Sequence, residues 1–179
     1  ALWYHLTLPK LYLINHSVSY IPGGLLYYSD MPKLTEMLYT AALSFGNEIF
    51  AKIIHFSFGI LTLIALYCLS RKYFSKILSL LAVLIFYSNL VVGWQSITAY
   101  VDLVRAFFEV MALWGFINWV EKRERKWFIE SAVMLGLAIS TKLLAIGSLI
   151  IFSLLIIYLG LKNKTALWNI ATNILVYLY

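Results

Sequence analysis

The sequence predicts an all-α integral membrane protein, a multi-span helical bundle with interfacial helices in its first outer loop. Three observations carry that prediction. Of 179 residues, 63% are hydrophobic and only 12% are charged, with a mean hydropathy of +0.86, whereas soluble domains carry roughly 25% charged residues. Apolar runs of about 20 residues, enough to cross a bilayer, recur along the chain. The basic residues gather in the gaps between runs, three at 71–76, four at 122–126 and two at 162–164. Nine of the fourteen therefore fall in every second gap, which is the pattern of cytoplasmic loops.

The same composition excludes other classes. A soluble chain of this size still leaves roughly a third of its extended surface in water, which this much apolar material does not tolerate. A disordered tail, a coiled coil and a disulfide scaffold are also excluded, since the single cysteine, Cys68, lies inside an apolar run. The net charge of +6 is a topology signal, not a nucleic-acid surface.

Taken in order, residues Leu2 to Asn15 read as an interfacial helix with Trp3, Tyr4 and Tyr12 at headgroup level. Ser17 to Pro32 contains Pro22, Gly23, Gly24 and Pro32 and reads as irregular loop. The next stretch, from Pro32 to Phe45, is too short to cross. Twelve residues separate Lys33 from Gly46, about 18 Å of helix against a hydrocarbon core of roughly 30 Å. Leu34, Met37, Leu38, Ala41, Ala42 and Phe45 recur there at helical spacing, as in a helix lying in the interface. Residues 1–47 thus form a first outer loop and residues 48–179 a transmembrane bundle. Its spans are expected at about 49–70, 77–94, 103–120, 127–141, 143–161 and 166–179, the fourth being short and the last unfinished at Tyr179. With no initiator Met at Ala1, the chain reads as an internal piece of a larger membrane protein.

Ionisable groups near a bilayer are costly and mark function. The outer side carries His5, Lys10, His16, Asp30, Lys33, Glu36, Asp102 and Lys142. Asp102 begins the third span, either as a carboxylate favoured by the helix dipole or as an acceptor-facing group at a cavity mouth. Arg105 and Glu109 follow three and seven residues later on the same helix face, where they neutralise one another. Lys142 interrupts an apolar stretch, where it either snorkels or meets a lipid phosphate, and Lys10 has the same two readings. His5 is a structural or a substrate-facing histidine, and Glu36 a solvated or a functional carboxylate. His16 and His55 read as incidental. No histidine pair has helical zinc spacing, so a divalent metal site would have to be assembled across loops from His5, Glu36 or Asp102, and no cofactor is expected to be required. Asn15-His16-Ser17 matches a glycosylation sequon.

The order of several strings is more telling than any one motif. Tyr4-His5-Leu6-Thr7-Leu8-Pro9-Lys10 is followed by Pro32, by Glu36-Met37-Leu38-Tyr39 and by Ala51-Lys52-Ile53-Ile54-His55-Phe56. Thr98-Ala99-Tyr100-Val101-Asp102 and the stretch from Gly136-Leu137-Ala138 to Thr141-Lys142 come next. This sequence resembles relatives of the dolichyl-phosphate-mannose protein mannosyltransferases, part of a superfamily that includes the aminoarabinose transferases of lipid A.

The resemblance implies an inverting glycosyltransferase that moves a sugar from a polyprenyl-phosphate donor to a lipid, glycan or protein acceptor. The reaction is expected on the non-cytoplasmic side of the plasma membrane, with membrane lipid as a partner and no nucleic acid. The resemblance places the catalytic base on an aspartate upstream of Ala1, so the 179 residues alone are expected to be inactive. It assigns Asp102 and His5 to the catalytic group and Lys10, Glu36, Tyr100 and Lys142 to substrate binding. Met31-Pro32-Lys33 stands where better-known relatives carry Lys-Pro-Pro. The alternative from another class is a transporter or lipid flippase using Asp102, Arg105 and Glu109.

Overall fold

The computed structural model describes residues 5–162. Trp3, Tyr4, Lys164 and the sixth predicted span lie outside the described residues. Those described are mostly helical, with no strand among them.

The chain begins with α1 (Thr7–Asn15). The following loop, expected to be irregular, contains a 3-10 turn, Gly24–Asp30, and closes where the Ile21 N–H donates to Ser29 Oγ at 2.9 Å. α2 (Leu34–Phe45) then meets α3 (Glu48–Arg71) at a corner where Asn47 caps α3 by accepting the Ile49 N–H at 2.9 Å. With 24 residues, α3 is about 36 Å long and can cross a bilayer.

Packing decides which face of each helix turns inward. Along α3 the buried residues are Ala51, His55, Gly59, Thr62 and Ala65, a narrow stripe that lets a neighbouring helix approach. A Cβ on Gly59 would lie 3.2 Å from Leu103 of that neighbour. On α2 the buried face is Thr35, Glu36, Tyr39 and Ala42, while Met37 and Phe45 point outward. Of the apolar stripe that suggested an interfacial helix, Met37, Ala41 and Phe45 thus lie on the outer face of α2, while Ala42 packs inside. The protein-facing side is the more polar one, as suits a helix whose external solvent is lipid.

α4 (Lys76–Ser88) and α5 (Leu90–Ser96) occupy the second predicted span, but their axes bend by 73° at Asn89. Asn89 is extended and its side chain accepts the Val91 N–H at 2.9 Å, so it caps a new helix instead of continuing the old one. α6 (Asp102–Lys122) runs beside α3 and ends where Arg123 adopts a left-handed conformation, φ 57°. α7 (Arg125–Thr141) returns antiparallel along α6, with Ser131 Oγ donating to the Ala112 carbonyl at 2.7 Å. A 3-10 turn, Leu143–Ala145, leads into α8 (Ile146–Lys162).

α3, α6 and the stretch Leu143–Lys162 are long and apolar enough to cross a membrane, and the bent α4 and α5 pair passes the same test as one broken span. Between α6, α7 and α8 the core is Ala112, Phe116, Phe128, Leu135, Phe152 and Ile156. At the other end of α6, Leu6, Tyr39, Ala42, Ala51 and Ala99 fasten the first loop to α3 and to the start of α6. Large apolar side chains such as Ile77, Ile85, Ile150 and Leu154 face outward, the arrangement of an integral membrane protein.

Candidate functional site

Of the ionisable residues that the sequence singles out, His5, Glu36, Asp102 and Lys142 converge where α1, α2 and the ends of α6 and α7 meet. Asp102 opens α6, and its position is fixed from behind by His55. The His55 Nδ1–H donates to the Gln95 carbonyl at 3.0 Å, while Nε2 accepts the Leu103 N–H at 3.3 Å. Those two bonds demand the neutral ring with its proton on Nδ1. They tie α3 to α5 and to the first turn of α6. Gln95 Nε2 donates to Asp102 Oδ2 at 3.4 Å.

Lys142 reaches Asp102 because α7 is antiparallel to α6. Its Nζ donates to Asp102 Oδ1 at 2.7 Å, a charge-assisted bond roughly twice as strong as a neutral one. Lys142 also lines a cavity of about 300 Å³ together with His5, Tyr28, Pro32, Glu36, Thr141 and Leu144. The second anchored pair stands in the same wall. His5 Nδ1 donates to Glu36 Oε1 at 2.6 Å with both side chains buried. Glu36 Oε2 has no hydrogen-bond partner among the described residues. A buried acceptor left open in a cavity wall calls for a donor from a ligand or water.

Tyr39 and Tyr100 secure this geometry. The Tyr39 hydroxyl donates to the Tyr100 carbonyl, and the Tyr100 ring lies 5.7 Å from that of His5. Burial, and then the Glu36 charge, push the Tyr39 hydroxyl well above the ordinary tyrosine range. It therefore stays a donor at all working pH values. The Tyr12 hydroxyl is raised for the same two reasons.

The structure thus brings His5, Glu36, Tyr100, Asp102 and Lys142 to one place. Lys10 lies apart. It pairs with Glu48 and, with Lys52, lines a separate open groove of about 630 Å³ between α1 and the start of α3. Among the described residues no three His, Cys, Asp or Glu form a group able to hold a metal ion.

Sequence reasoning missed His55, Gln95 and Tyr39. His55 had one available signal: it falls on the small and polar stripe of α3 at helical spacing from Ala51, Gly59 and Thr62. Gln95 and Tyr39 carried none, because their bonds depend on chain segments far apart in sequence.

The lip of the cavity is apolar. Leu144 is 64% exposed and Leu143 45%, and both line the cavity with Lys142, so side chains that suit a hydrocarbon chain stand beside its ammonium. A cation and an unpaired carboxylate oxygen beside such a lip fit an amphiphile with an anionic, hydroxyl-bearing head.

No curated protein and no solved structure matches the chain. A family model described as dolichyl-phosphate-mannose-protein mannosyltransferase matches residues 36–178, from Glu36 through Asp102 and Lys142. The match spans most of the chain, with His5 outside it, and the protein belongs to this family of membrane glycosyltransferases.

Proposed function

We propose that the protein transfers a sugar from a polyprenyl-phosphate-linked donor to a lipid, glycan or protein acceptor on the non-cytoplasmic side of the plasma membrane, with inversion. The observation that carries this reading is the Lys142 ammonium lining a cavity with an apolar lip. In the proposed topology, residues 1–47 are the outer loop and the basic clusters at 71–76, 122–126 and 162–164 face the cytoplasm. The Asp102 end of the bundle then faces outward, where the donor's phosphate would lie.

The chemistry follows from the groups present. The acceptor hydroxyl attacks the anomeric carbon as the bond to the lipid phosphate breaks, and the hydroxyl proton passes to a base. Family resemblance makes that base an aspartate. Lys142 stabilises the charge that develops on the departing phosphate. Asp102 holds Lys142 at 2.7 Å and helps to position the acceptor. Glu36 accepts a sugar hydroxyl through its open Oε2, while His5 fixes the Glu36 carboxylate and Tyr100 backs the His5 ring.

The test is transfer of radiolabelled sugar from polyprenyl-phosphate donors by the full-length protein in membranes. Wild type is compared with Asp102→Asn and Lys142→Ala at matched expression. A sharp fall in both supports the reading. Absence of transfer from every donor tried, with normal insertion, favours a transporter. The bend at Asn89 and the Arg105 and Glu109 charges within α6 would then serve an ion pathway.

A further inference from the structure

The charges near Lys142 are balanced in number but not matched one to one. Lys142 Nζ holds Asp102 Oδ1 at 2.7 Å. One turn further along α6, an Arg105 terminal nitrogen lies 3.4 Å from Glu109 Oε2, and Ser148 Oγ donates to Glu109 Oε1 at 2.7 Å. Left over is Arg105 Nε. It is buried without a hydrogen bond and lies 3.9 Å from Asp102 Oδ1, the oxygen that Lys142 already occupies. A guanidinium N–H removed from water without an acceptor is unfavourable, so this donor is held short of the one carboxylate it faces.

An anion in the cavity changes the balance. Lys142 reaches a phosphate there by loosening its bond to Asp102, and Asp102 is only 19% exposed. A carboxylate so enclosed, once released by its cation, resists the change strongly. Arg105 can remove that resistance. Closing Nε from 3.9 Å to an ordinary bond of about 2.9 Å takes a shift of one side chain with no movement of α6. Gln95 continues to hold Asp102 Oδ2 at 3.4 Å. Glu109 opposes the shift, because it draws the other end of the guanidinium away.

We propose that Arg105 takes over Asp102 when Lys142 turns to the donor's phosphate. Arg105 is thus a positioning residue that frees Lys142, and Glu109 is the counterweight that sets how readily the exchange occurs. The inference rests on the reading of Lys142 as the phosphate contact.

The test measures binding of undecaprenyl phosphate to the purified full-length protein in nanodiscs. Lys142→Ala is expected to weaken binding by about tenfold and Arg105→Gln by about fivefold. Combining the two gives no further loss, because both act through one ammonium. Arg105→Lys recovers most of the binding, and it keeps a charge at that position should Arg105→Gln fail to insert. Glu109→Gln releases Arg105 toward Asp102 and tightens binding by about threefold, a gain that loss of a merely structural contact would not produce. If Lys142→Ala weakens binding but Glu109→Gln does not tighten it, or if Arg105→Gln adds its full effect to Lys142→Ala, the exchange is overturned and the role of Lys142 stands. If Lys142→Ala leaves binding unchanged, the reading of Lys142 fails and the exchange fails with it.

Discussion

The two ends of α6 carry the same chemical pair in opposite orientations. At one end Lys142 holds Asp102 at 2.7 Å, and at the other Lys72 holds Glu121 at 2.6 Å. A cavity of about 300 Å³ adjoins each pair. Beside Asp102 the cation lines the cavity and its carboxylate stands behind it. At the Lys122 end the carboxylate Glu121 lines the cavity with Tyr73, Phe116 and Tyr158, while Lys72, outside that lining, holds Glu121 and also donates to Asn118 Oδ1 at 3.0 Å. The first presents Lys142 to its cavity beside Glu36, and the second presents Glu121 with no cation among its described lining. The orientation of a pair, more than its presence, decides what can bind beside it.

The largest expected effect breaks this asymmetry at its Asp102 end. Lys142→Ala should lower transfer by about a hundredfold, the usual cost of removing one donor to a developing oxyanion. Asp102→Asn should lower it by about tenfold, since the amide keeps the shape but no longer holds a charged lysine. Steady-state transfer at matched expression measures both. If Lys72→Ala fell as far as Lys142→Ala, the contrast between the two ends would be lost.

A second prediction sharpens the contrast by separating packing from chemistry. A Cβ on Gly115 would collide with the Glu130 carboxyl and sit 2.9 Å from the Ser131 backbone nitrogen, whereas one on Gly136 would meet nothing within 4 Å. Gly115→Ala should therefore destabilise the protein by about 1–3 kcal/mol, as overpacking does. Gly136→Ala should be close to neutral, and neither should change transfer per folded molecule. Thermal unfolding in detergent, with transfer measured on the folded fraction, checks this.

Why some of this was legible in the sequence follows from how charges behave in an apolar chain. Asp102, Arg105, Glu109 and Lys142 stand out because an ionisable group in such runs is costly, and the all-helical membrane bundle follows from the length of the runs. Two kinds of feature were hidden. The inward face of α2 was not legible, because an apolar stripe marks the packed side only when the solvent is water. Here Thr35, Glu36 and Tyr39 are inside and Phe45 is 87% exposed. The roles of His55 and Lys10 depend on partners distant in sequence. Lys10 resembles Lys142 as an isolated lysine among apolar residues, yet one meets Glu48 and the other Asp102.

Tyr39 tests whether the first loop supports the Asp102 end. Tyr39→Phe removes the donor to the Tyr100 carbonyl and should cost about 1 kcal/mol. It should also change the response to alkali. The folded state raises the Tyr39 pKa above its ordinary 10.0, so the unfolded chain ionises first. This tyrosine's contribution is fully present below pH 10 and is lost as pH rises above it, through the folded-state value. Unfolding midpoints measured on either side of pH 10 should show a shallower alkaline loss in Tyr39→Phe than in wild type.

The smallest expected effect lies at the Lys122 end. Lys72→Ala removes a pair whose carboxylate is 41% exposed, and exposed pairs contribute little to stability. The loss is softened further because the Tyr73 hydroxyl still donates to Glu121 at 2.7 Å. Transfer should stay within about twofold of wild type, a difference below 0.5 kcal/mol. Raising the salt concentration should shrink even that difference, because exposed charges are screened. A transfer defect in Lys72→Ala that persisted at high salt would mean that this end of α6 takes part in the reaction and is more than a packed support for the other.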